Sequence, residues 1–136
     1  MSLETDNDKK SKIAYKVAVI NKRKGSKSTA RKYAQKAIDA NPSNGRAYLL
    51  IANLYATSAN SCGTSAFEKR AIYWKAADMA RKAGRVDPSL SGSAGQAANS
   101  YSAKAPTKEM IFNSGMAGKT VTFNCWVGGS VKVPSL

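Results

Sequence analysis

The chain has 136 residues, 43% of them hydrophobic, which is one domain's worth of core and leaves two domains unlikely. Lysine and arginine total 22 against 8 acids, a formal charge of +14, and there is no histidine, so the commonest general base and metal ligand is missing. No apolar run approaches the length that crosses a bilayer.

The first dozen residues are too charged for a signal peptide. Met1-Ser2-Leu3 has the look of a cloning remnant, so the true start and an export signal are expected upstream. Residues 1–8 are polar and expected to fray, with Asp6 or Asp8 available to cap the helix that follows. From Lys9 to Lys24, Ile13, Val17 and Ile20 form an i, i+4, i+7 stripe among lysines, the pattern of an amphipathic helix. Gly25-Ser26-Lys27 makes a turn, Ser28 is the expected N-cap, and a second helix to Ala40 turns Ala30, Ala34, Ala37 and Ile38 inward. From Lys9 to Lys36 there are eleven basic residues and no acid. Such a field attracts nucleic acid, anionic lipid or an acidic protein, although solvated helix faces are the plainer reading.

Asn41 to Asn44 is a break. A third helix over 45–58 buries Tyr48, Ile51, Ala52 and Tyr55. Ser58 to Thr64 has loop chemistry, and Ser65-x-x-Glu68 matches a capping box, so the fourth and longest helix is expected from Ala66 to Arg85. Its Phe67, Ala71 and Trp74 need a cover. A fifth helix over 91–103 uses Ala94, Ala97, Ala98 and Tyr101. Pro106 suits the first turn of a short helix that buries Ile111 and Phe112 and ends at Gly115. From Lys119 the period changes to two: Val121, Phe123, Cys125 and Val127 alternate with polar residues, Gly128-Gly129 turns the chain, and Ser130 to Val133 returns. A lone hairpin is marginal in water, so its apolar face is expected to cover the fourth helix.

One pattern recurs along this series. Ala30, Ala34, Ala37 and Pro42 have the same gaps as Ala76, Ala80, Ala83 and Pro88, and Val17-Ala18 recurs as Ile51-Ala52, 34 residues on, and as Ala97-Ala98 a further 46 on. The repeating unit is a helix pair, which resembles the tetratricopeptide repeat (TPR) over residues 11–104. Cys62-Gly63, Phe67 to Asp78, Asp87-Pro88-Ser89, Tyr101, Pro106 to Glu109, Phe112 and Cys125-Trp126-Val127 look more specifically like the C-terminal module of TPR proteins exported by Bacteroides-type bacteria. The resemblance implies a mostly α, right-handed stack of five to six helices with a C-terminal β-hairpin. Its parts would be a first repeat (9–41), a second (44–88) with an inserted loop (57–70), a partial third (90–114) and the hairpin (119–133). It also implies an extracytoplasmic place, in the periplasm or at the outer membrane.

In TPR proteins the first helix of each pair lines a concave groove that grips peptides. The groove candidates here are Lys12, Tyr15, Val19, Lys22 and Arg23 from the first helix, Arg46, Leu49 and Asn53 from the third, and Asn99 from the fifth. The carboxylate clamp of chaperone-binding members would fall at Tyr15, Val19, Leu50, Gly92 and Gln96, none of the required type, which disfavours a chaperone adaptor. Trp126, opposite the hairpin's apolar face, is a candidate surface aromatic. Cys62 and Cys125 fall in the two segments expected to lie together over the fourth helix; in an oxidising compartment they would pair, and otherwise they are buried thiols.

No catalytic or metal site is expected. Asp78, Asp87 and Glu109 read as helix-end charges, and Gly25-Ser26-Lys27-Ser28-Thr29 lacks the upstream glycine and the preceding strand of a phosphate loop. The expected function is a non-catalytic protein-interaction scaffold of the cell envelope that needs no cofactor and holds a peptide or protein segment. The alternative is a nucleic-acid or anionic-polymer binder working through the basic first helix pair.

Overall fold

A computed structural model describes residues 3–136, with side chains from Asp6 onward. The protein is mostly helical: α1 (Leu3–Arg23), α2 (Lys27–Ala40), α3 (Gly45–Ala56), α4 (Ala66–Val86), α5 (Ser91–Lys104) and α6 (Lys108–Ser114) precede β1 (Thr120–Thr122) and β2 (Ser130–Lys132). Helix α1 packs chiefly on α2, α3 on α4, and α4 on α5, while α2 also meets α3. The repeated alanines explain the close approach: Ala30, Ala34, Ala37, Ala76, Ala80 and Ala83 are all fully buried. Gly45 belongs to the same economy of space, because a Cβ there would lie 2.8 Å from the Ala83 carbonyl oxygen.

Helix α1 differs from expectation in both extent and facing. It already begins at Leu3, within the stretch expected to fray, and residues 1 and 2 lie outside the described residues. Asp6 and Asp8 sit inside the helix rather than at its cap, and Asp8 accepts a hydrogen bond from Asn41 Nδ2 at 3.0 Å. The buried line is Ser11 and Ala18, whereas Ile13 and Ile20 are 62% and 48% exposed and Val17 is half-buried. The alanine face of α2 admits only small partners, which selects serine and alanine over isoleucine. Ser11 meets its polar requirement by donating to Ala37 O at 2.7 Å and accepting from Asn44 Nδ2 at 2.8 Å.

Helix ends follow local chemistry. The N-cap of α2 is Ser26, not Ser28, and its side chain makes no capping bond. Asn44 and Ser65 cap α3 and α4 by accepting from Ala47 N and Glu68 N. The Glu68 carboxylate returns to Thr64 N at 3.1 Å, one residue before the cap, so the box is closed a step early. At 21 residues, α4 shares the greatest length with α1. Thr107 caps α6, which leaves Pro106 outside the helix, and Gly115 ends it at φ 69°. Ile111 is buried, but Phe112 is 73% exposed, because a seven-residue helix turns only one such side chain to the core.

The C-terminal ribbon pairs antiparallel, Val121 facing Val131. Its pairing stops at Thr122, and Gly128-Gly129 is not a tight two-residue turn: residues 123–129 form a longer loop that ends in two glycines at φ 63° and 68°. Val121, Phe123, Val127 and Val133 are buried in the main core, where Phe67 and Trp74 of α4 pack against it. Cys62 and Cys125 form a disulfide with Cα atoms 5.0 Å apart. It ties the loop before α4 to the ribbon and fits an oxidising compartment. No helix among the described residues is long and apolar enough to cross a membrane.

Candidate functional site

Tyr15, Val19 and Lys22 recur on one side of α1 at i, i+4, i+7, and Arg46, Leu49, Leu50 and Asn53 do the same on α3. The two rows face each other across a cleft of about 520 Å³, with Arg23 at one end. Leu50 is buried and Tyr15, Val19, Leu49 and Asn53 are half-buried, so the floor is apolar apart from one amide. Lys22, Arg23 and Arg46 stand exposed around it, and none of the lining residues is acidic. The chemistry this offers is an apolar trough, an Asn53 amide able to donate and accept, and a cationic rim.

Seven of the nine groove candidates therefore border one cleft. Lys12 lies along the next stretch of the same surface, with Asp8, Ser11, Asn41 and Asp87, and Tyr15 and Arg46 are common to both parts. Asp8 and Asp87 make that stretch less uniformly positive than the cleft, without pairing with Lys12 or Lys16. Asn99 is exposed on α5 and does not line the cleft, because α5 packs against α4 rather than bordering the space between α1 and α3. Leu50 is the lining residue that the groove list lacked; its position in the helix row next to Leu49 was the available signal.

Trp126 is not a free surface aromatic. Its indole is half-buried, Nε1 donates to Ser58 Oγ at 3.0 Å, and the ring centroid lies 5.9 Å from that of Tyr55. Ser58 Oγ in turn donates to Leu54 O at 2.8 Å. Two cations overlooked in the sequence hold the same loop. Arg31 of α2 sits 5.0 Å from the Trp126 ring and donates to Val127 O at 2.5 Å and Trp126 O at 3.1 Å. Lys75 of α4 donates to Gly128 O at 3.0 Å, and burial, then the charges of Arg31 and Lys82, lower its pKa from the ordinary 10.5. Nothing in the spacing of the basic residues set these two apart from the solvated ones.

Gly25 and Ser26 lie between α1 and α2 and Lys27, Ser28 and Thr29 open α2, with a helix and not a strand before them, so the phosphate-loop geometry is absent there. Asp78 lies mid-helix rather than at an end and pairs with Arg81 at 2.9 Å, exposed on both sides. Among the described residues no group of three or more Cys, Asp or Glu side chains is placed to hold a metal ion. Compared with protein-family models, curated proteins and solved structures, the chain matches none of them.

Proposed function

We propose that the protein is a non-catalytic, TPR-like interaction scaffold that holds an extended segment of a partner protein in the cleft between α1 and α3. The observation that carries this reading is the cleft itself: an apolar floor of Tyr15, Val19, Leu49 and Leu50 under a rim of Lys22, Arg23 and Arg46. Such a trough suits a segment that alternates apolar side chains with carboxylates, the former filling the floor and the latter meeting the rim. The TPR-like stack is supported by the repeated, fully buried alanines and the successive packing of α1 on α2, α3 on α4 and α4 on α5. The disulfide supports a place outside the cytoplasm, in the cell envelope.

A second reading, binding of nucleic acid or another anionic polymer, is favoured by the eleven basic residues between Lys9 and Lys36. The two separate in one experiment. Peptides selected from a random displayed library are measured by fluorescence anisotropy at low and physiological salt, against wild type and the double variant Tyr15→Ala, Asn53→Ala. The cleft reading expects acidic-apolar peptides whose affinity falls about tenfold or more in the variant, since two floor contacts go together. Binding that vanishes with salt yet ignores both substitutions would sink it in favour of the polymer.

A further inference from the structure

We propose that the outer face of α1 docks on the headgroup layer of an anionic lipid bilayer. Ile13, Val17 and Ile20 line neither the cleft nor the stretch that continues it. Tyr15 lies about 200° around the helix from Ile13 at 3.6 residues per turn, so the inference does not depend on what the cleft holds. Ile13 and Ile20 are seven residues apart, two turns along one line, and 62% and 48% exposed. Val17, half-buried, lies between them, and exposed Lys10, Lys16 and Lys24 flank the line. None of these three lysines pairs with a carboxylate of a described residue.

The combination selects the occupant. Isoleucines within a lysine field call for a surface that is both negative and able to take up apolar groups. A bilayer with acidic headgroups is such a surface, its charge drawing the lysines and its acyl boundary receiving Ile13 and Ile20. A second copy is disfavoured because the same lysines would face each other across the contact, on a chain of net charge +14. Nucleic acid would meet the lysines through its phosphates but leave the isoleucines in water.

The test is flotation of the full chain with vesicles of phosphatidylcholine alone or mixed with phosphatidylglycerol, at physiological salt. The wild type, Ile13→Ser with Ile20→Ser, and Tyr15→Ala with Asn53→Ala are compared, with thermal melts to show that all three fold. The expected result is binding to the phosphatidylglycerol vesicles only, weakened about tenfold by the two serines and unchanged by the cleft variant. Equal binding by the serine variant would mean charge attraction alone and overturn the proposal. So would no binding to either vesicle, loss of binding in the cleft variant, or a wild-type dimer in sedimentation that the serines make monomeric.

Discussion

Lys75 shows how one residue can be tied to structure through its proton. Its ammonium reaches the Gly128 carbonyl and lies 5.6 and 5.8 Å from the Tyr55 and Phe123 ring centroids, where burial and two nearby cations penalise the charge. A lysine whose folded pKa lies below 10.5 binds fewer protons in the folded than in the unfolded state between those two values. Its contribution to stability therefore rises with pH through that window and is least favourable below it. Lys75→Met removes the charge but keeps a linear apolar stem. Urea midpoints measured across the alkaline range for both proteins are expected to show a steeper rise with pH in the wild type, and parallel curves would refute the assignment.

Among elements, the alanine seams govern how near the helices come. Ala52 of α3, Ala80 of α4 and Ala98 of α5 form one buried cluster where three helices meet. Enlarging any of them must push two helices apart, since interiors are packed without spare volume. Ala80→Leu is expected to cost about 1–3 kcal/mol, whereas Ala103→Leu, exposed on α5, should be near neutral. Denaturant unfolding of the two variants checks this, and equal midpoints would mean that the seam is looser than the burial suggests. Helix α1 obeys the same rule from the other side. Its isoleucines are kept outside because a seam of alanines can be matched only by small side chains such as Ser11 and Ala18.

For the molecule as a whole, the last quarter of the chain is what joins separate elements. The disulfide spans 63 positions, and the loop it anchors also receives hydrogen bonds from α2 through Arg31 and from α4 through Lys75. Closing a loop of that length stabilises by about 4 kcal/mol in the chain-entropy account. Reduction is thus expected to lower the urea midpoint markedly, while the helical circular dichroism in the absence of urea stays the same because the core contacts remain. An unchanged midpoint with reductant would show that the ribbon's other bonds suffice.

Helix identity, the cap at Ser65 and the alanine faces were legible in the residues, since each depends on near neighbours or on a repeated spacing, whereas the cysteines could be read either as a pair or as buried thiols. Seven residues of the cleft were named through the TPR resemblance, which also brought in Asn99 and passed over Leu50. Which face of α1 is buried was not: Ile13, Val17 and Ile20 make the stronger apolar stripe, and only the alanine surface of α2 rejects it. Nor could the strand period reveal that Trp126 turns inward, because Ser58, Tyr55 and Arg31, the groups that hold it, come from 68 to 95 residues away. Local sequence determines what an element is; the volume and hydrogen-bonding capacity of its distant neighbours decide which side of it they accept.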